Sequence, residues 1–307
     1  MSFFSLIIAL LIEQLRPVPA QTCVLGPLRS LSTSISDRFR DADGAPSRRA
    51  WLAIVVVLGV GSALLYGLIA DVHGFFAFLA SIVVLWLCMG FRSESRAFED
   101  IRLALRLGEI ERARMLLGQW RGGRHDDASA EEVARLAIEQ ALVAAHRTVF
   151  GVGFWFVVLG PVGAVLYRTV RFLAEDRAWR ANTLAPAFDR RAQRALELVE
   201  WLPVRLTAAA FTVVGNFEDA LYCWRTQSAL WPDKASAILI ASGAGALGVR
   251  LGMPAHESGS IVDRPEMGTG SDASVDHMQS TVGLVWRALL VCLFLLALIG
   301  VVGWVSR

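Results

Sequence analysis

Tyr167, Arg168 and Arg171 are the residues of this chain whose types and spacing best suit chemistry. They close a run, Val149 to Tyr167, that carries no charged side chain and is interrupted near its middle by Gly160-Pro161, with Gly163 just beyond. Proline removes a backbone donor and clashes with the preceding turn, so a kinked or broken helix is expected there. Inside a bilayer such a break survives only where protein or a water-filled cavity satisfies the freed carbonyls. A broken apolar helix that ends in a cationic patch can hold an anion. The same residue types also fit an aromatic-basic anchor at the membrane interface.

The other candidates are thinner. Asp126-Asp127 could bind a cation or form a solvated loop, His125 and His146 have no partner at ligand spacing, and His73 reads as a turn residue. Cys23, Cys88, Cys223 and Cys292 stand far apart with no zinc or redox spacing, so they read as buried free thiols. No metal site is read.

The elements that must position these groups are membrane helices. Of 307 residues, 55% are hydrophobic, which is high for a soluble chain. Trp51 to Ala70, Gly74 to Phe91 and Ala288 to Val305 are also free of charge. With the first run they make four stretches close to the ~20 apolar residues a spanning helix needs. The expected fold is an all-α, polytopic integral membrane helical bundle with a cytoplasmic α-helical hairpin insertion. The lipid bilayer is its first partner. A net charge of +2, with cations interleaved among acids, excludes nucleic acid as a partner.

Along the single membrane domain, 1–307, residues 1–15 read as a short N-terminal membrane helix stopped by Glu13. Residues 51–91 read as a transmembrane hairpin turned at Asp71-Val72-His73, with Arg-rich flanks that place both outer ends in the cytoplasm. Residues 92–148 form the insertion: Leu103, Leu107, Ile110, Leu117 and Trp120 recur at helical spacing, Gly122-Gly123 breaks the pattern, and Ser129 with Glu132 caps a second helix. That helix carries Val133, Leu136, Ala137, Ala141 and Ala144 as its apolar stripe. Residues 150–172 are the broken membrane helix. A full crossing would put Arg168, Arg171, Arg177 and Arg180 outside, against the positive-inside rule, whereas re-entry about Gly160-Pro161 returns them to the cytoplasm. Residues 186–252 hold amphipathic and small-residue helices, the latter either tight packing or a Gly-lined ligand wall. Residues 253–281 read as a mobile polar loop, and 284–305 as the C-terminal transmembrane helix.

Five short motifs in this order resemble the CobD/CbiB family, including its AmpE branch, over nearly the full length. They are Gly108-Glu-Ile-Glu-Arg-Ala-Arg114, Gly160-Pro161 followed by Val165-Leu-Tyr167-Arg168, Leu202-Pro-Val-Arg205-Leu206, Gly245-Ala-Leu-Gly248-Val-Arg-Leu-Gly252 and Val262-Asp263-Arg264-Pro265. The resemblance implies adenosylcobinamide-phosphate synthase, which joins an aminopropanol-type amine to a corrinoid carboxylate, with Mg²⁺ and a nucleotide as cofactors of that reaction.

The chain departs from the enzymes in places. Ala144-Ala-His-Arg-Thr148 stands where they carry Glu-Asn-Thr-x-Asp, and Arg171-Phe-Leu-Ala174-Glu175 where they carry Asn-Thr-Leu-Asp-Ser. Glu13-Gln-Leu-Arg-Pro17 replaces an N-terminal Gly-Asp-Pro. Lost cation ligands, with the form Glu200-Trp-Leu-Pro-Val-Arg205, look more like AmpE. The expectation is therefore a non-catalytic or altered inner-membrane protein, bacterial and multi-pass, with a regulatory or signalling role and no cofactor. The synthase and a structural partner of a membrane complex are the alternatives. By the resemblance, Tyr167, Arg168, Arg171, Trp201, Arg205, Gly245 and Gly248 would bind an anionic or corrinoid-like small ligand, and a membrane protein partner is a further expectation. Glu139, Glu175, Asp176 and Glu200 are the acids that could replace the lost ligands.

Overall fold

The computed structural model describes residues 2–15, 26–38, 48–176 and 186–305. Cys23, Arg177 and Arg180 lie outside the described residues. In chain order the helices are α1 Ser2–Leu15, α2 Gly26–Arg38, α3 Arg48–Val72, α4 Gly74–Cys88, α5 Phe91–Arg106, α6 Ile110–Arg121, α7 Ala130–Ala145 and α8 Gly151–Glu175. After these come α9 Pro186–Val214, α10 Phe217–Gln227, α11 Lys234–Leu247 and α12 Val275–Val305. The chain forms two compact units, one of Met1–Gly90 with Gly151–Trp201, the other of Phe91–Phe150 with Leu202–Arg307.

Among the described residues, four helical stretches are long and apolar enough to cross a membrane: Arg49–Val72, Gly74–Arg106, Ala130–Glu175 and Val275–Val302. The protein is therefore mostly helical and multi-pass. Only 6% of the apolar window of α3 is buried by protein, and Val56, Val60, Leu64 and Leu68 point outward from it. Such a surface is stable only against lipid.

In the first unit, α3 and α4 are separated by His73 alone, whose Nδ1 accepts the Phe75 N–H at 3.2 Å and so caps α4. Helix α8 is broken where the sequence predicts. Gly160 adopts φ 67°, ψ −156°, backbone open to glycine, and Pro161 follows. In an unbroken helix, Gly151 and Tyr167 would lie ~24 Å apart. Instead, a Cβ on Gly151 would strike the Tyr167 hydroxyl, and one on Gly163 would strike the Trp155 carbonyl. The helix has folded back on itself, and the glycines are what let its two halves touch. Below the fold, Val170, Phe172 and Leu173 pack with Leu28, Ile54, Phe188 and Leu196 into a core shared by α2, α3, α8 and α9.

The second unit departs from the expected helical hairpin in three ways. The stripe read through Leu103 and Leu107 is broken at Gly108 (φ 75°), so α5 and α6 are separate helices and those two leucines are exposed. Helix α7 is not amphipathic toward water: Glu132, Arg135 and Glu139 are buried along with its apolar residues. Residues 249–272 are not a bare polar loop. Val249–Arg250 (β1) pairs in parallel with Ser271–Asp272 (β4), and Ala255–Glu257 (β2) pairs antiparallel with Ser260–Val262 (β3). The fold is mostly α rather than all-α, because this segment buries Leu251, Ala255 and Met267 and needs backbone partners there.

Candidate functional site

Three of the predicted residues come together in the first unit. The returning half of α8 carries Tyr167 and Arg168 side by side and Arg171 one turn on, after the break at Gly160. Tyr167 is fully buried and donates its hydroxyl proton to Glu200 Oε1 on α9 at 3.2 Å, itself only 3% exposed. Beside that pair, Arg168, Arg171, Phe172, Glu175 and Asp176 line a cavity of about 210 Å³. The Arg171 Nε donates to Glu175 Oε2 at 3.0 Å, one helical turn on. Asp176 accepts from Arg29 Nη2 at 2.9 Å, and Gln193 donates to the Ala174 carbonyl at 2.8 Å, which ties the end of α8 to α2 and α9. The cavity thus has guanidiniums and carboxylates on one apolar floor, and suits a small ligand bearing both charges.

The remaining predicted residues sit elsewhere. Trp201 is 58% exposed and does not line this cavity. Arg205, Gly245 and Gly248 belong to the second unit. A Cβ on Gly245 would lie 2.5 Å from the Asp219 carbonyl oxygen and 2.6 Å from the Ala220 Cα, so this glycine lets α11 press on the α10 backbone. Gly248 ends α11 in the left-handed conformation (φ 67°, ψ 38°).

The second unit also holds a polar cluster that periodicity missed. Glu139, 1% exposed, accepts the Gly252 N–H at 2.9 Å, Arg264 Nη1 at 2.9 Å and Arg121 Nη1 at 3.4 Å. Two turns earlier Glu132 accepts His256 N–H at 2.5 Å and pairs with His256 Nδ1 at 2.9 Å, while Arg135 donates to the Pro254 carbonyl at 2.7 Å. Glu132, Arg135 and Glu139 recur at helical spacing, a pattern that ordinarily marks a solvated face. Only the packing of residues 250–265 over it shows otherwise. His146, within the π-turn His146–Phe150, lies 2.9 Å from the Thr207 hydroxyl, which itself donates to the Pro203 carbonyl at 3.0 Å.

A magnesium ion needs several oxygen ligands converging on one point. Among the described residues no group of three or more His, Cys, Asp or Glu side chains is so placed. The acids that could have replaced the missing motif are dispersed: Glu175 and Asp176 at the cavity, Glu200 on Tyr167, Glu139 in the other unit. Among the described residues no acid cluster makes an all-protein cage for the metal; Glu175 and Asp176 are the carboxylates that would help hold one bound chiefly by substrate oxygens and water.

The family model described as "CobD/Cbib protein" matches residues 6–285. The chain is 34% identical to a cobalamin biosynthesis protein CobD of Stutzerimonas stutzeri, over 98% of both chains. It is 36% identical to one of Chromobacterium violaceum over 69% of this chain and 67% of that one. It is 27% identical to the cobalamin biosynthesis protein CbiB of Salmonella choleraesuis over 91% of each. No solved structure matches the chain. These relatives overturn the expectation of an AmpE-like, non-catalytic signalling protein: all three are named for a biosynthetic route, and two of them align with 98% and 91% of the chain. Short motif gaps were weaker evidence than continuous similarity, and by that similarity the chain belongs to the CobD/CbiB family.

Proposed function

We propose that the protein works in cobalamin biosynthesis as the amide-forming adenosylcobinamide-phosphate synthase of a bacterial inner membrane. The observation that carries this reading is similarity to proteins named for cobalamin biosynthesis over 98% and 91% of the chain. The cavity beside Tyr167 supports it at the level of chemistry. At about 210 Å³ it is smaller than the ~300–1,000 Å³ of a typical ligand pocket, so it takes the amine substrate and not the corrinoid. Glu175 and Asp176 provide carboxylates for the ammonium, and Arg168 and Arg171 face an anionic group on the same small molecule.

Amide formation joins nitrogen to the carboxyl carbon, expels one carboxylate oxygen and releases two of the three ammonium protons, the amide keeping the third. An activating co-reactant, a nucleotide by the resemblance, must carry off that oxygen. The residues described here bind and orient the amine, and Glu175 can accept one proton as the bond forms. No step is routed through a metal.

The test is growth of a host that lacks its own corrinoid amide synthase and depends on late cobalamin assembly. The gene should restore growth, and Arg168→Ala or Glu175→Gln should weaken the rescue at equal membrane abundance. No rescue by wild-type protein shown to be in the inner membrane would contradict the proposal.

A further inference from the structure

Arg264 belongs to the Val262-Asp263-Arg264-Pro265 motif, and amide formation gives it no task. Its surroundings are unusual for an arginine. Nη1 donates to the buried Glu139 at 2.9 Å, and the guanidinium lies 5.5 Å from the centre of the Trp231 ring. Trp231 is held in turn, its indole N–H reaching the Pro265 carbonyl at 3.3 Å. One ion pair and one aromatic face therefore fix the plane of the guanidinium.

The other edge of the group is unspent. Arg264 is 11% exposed at the side chain, and its Nε and Nη2 are buried with no hydrogen-bond partner among the described residues. Those two nitrogens carry the parallel N–H bonds with which arginine grips two oxygens of one oxyanion. Buried charged donors left unmade are costly, so an edge of this kind is retained where something fills it. The nearest carboxylate is already committed: Glu139 also binds the Gly252 N–H and Arg121. Arg121, 20% exposed, touches the same Glu139 oxygen and reaches Glu257 at 3.6 Å, so solvent is one residue away.

We propose that the Nε/Nη2 edge of Arg264 is an oxyanion receptor that takes the two oxygens of a carboxylate or phosphoryl group. The site lies wholly in the second unit and does not depend on the cobalamin reading. Glu139 and Trp231 are positioning residues for it: the first holds one end of the fork, the second its plane.

Full-length protein in detergent micelles is titrated with inorganic phosphate and, separately, with acetate, and binding is read by calorimetry. The tighter of the two identifies the class of oxyanion. Arg264→Lys keeps the charge and loses the fork, and is expected to weaken binding about tenfold or more. Trp231→Phe keeps an aromatic face and should cost less. Arg112→Ala, at an exposed arginine paired with Glu109 outside both sites, should leave binding unchanged. The unfolding temperature of each variant without ligand shows whether it is folded; if Arg264→Lys is not, Trp231→Phe and Arg121→Gln carry the comparison. Binding by wild type no tighter than by folded Arg264→Lys, or no binding of either anion, overturns the proposal.

Discussion

Tyr167 shows how much one residue can depend on another far along the chain. Its hydroxyl bonds Glu200, and its ring lies where Gly151 has no side chain. Gly151→Ala should lower the unfolding midpoint clearly, because the ring it would strike is buried and tethered; overpacking of this kind costs ~1–3 kcal/mol. Tyr167→Phe should cost less, about 1–2 kcal/mol, by removing one donor from a buried carboxylate. Denaturant unfolding in micelles checks both, and equal stability of wild type and Gly151→Ala would refute the contact. Cys223 makes a second prediction. Burial pushes its thiol above the usual range, ahead of the hydrogen bond to Thr269 that pulls it back. A raised value leaves little thiolate at neutral pH, so alkylation should be slow at pH 7 and accelerate only as pH rises. Rapid labelling at pH 7 would show that α10 opens readily. At this scale the sequence was legible where one residue type has one meaning: Gly160-Pro161 marked the break, and Ser129 caps α7 by accepting the Glu132 N–H. It was opaque for Glu132, Arg135 and Glu139, whose charges look like a water-facing stripe until residues 250–265 cover them.

Elements explain why some glycines are indispensable and others are not. In α11, Gly243 faces the Leu142 side chain and Gly245 the α10 backbone. A side chain end can move, but a backbone cannot, so Gly245→Ala should destabilise more than Gly243→Ala. Gly67 in α3 meets nothing within 4 Å among the described residues, and Gly67→Ala should be neutral or stabilising, since glycine costs a helix ~0.5–1 kcal/mol relative to alanine. Thermal unfolding of the three variants checks the order, and a Gly67 variant worse than Gly245→Ala would refute it. The long apolar helices were readable because hydropathy over such lengths has few other meanings. The split between α5 and α6 was not, because Leu103, Leu107 and Ile110 keep helical spacing across Gly108, and only its positive φ ends the first helix. The short strands were hidden for a similar reason. Two- and three-residue pairings carry no periodic signal, and the segment reads as polar although Leu251, Ala255 and Met267 are buried.

For the molecule as a whole, the lesson is about weighing local loss against global similarity. Ala144-Ala-His-Arg-Thr148 lacks the acids of the corresponding enzyme motif, and among the described residues no acid or imidazole cluster replaces them as a metal site. Relatives named for cobalamin biosynthesis nevertheless align with 98% and 91% of the chain. Substitution of Arg168 or Arg171 in the α8 cavity should raise the amine concentration needed for half-maximal rate. The central claim is tested most directly by mass spectrometry. Membrane vesicles containing the protein are given a corrinoid carboxylate, an aminopropanol-type amine, nucleotide and magnesium. The account predicts a corrinoid product heavier by the amine less one water, absent from vesicles without the protein. Unchanged corrinoid in vesicles that contain abundant folded protein would contradict it.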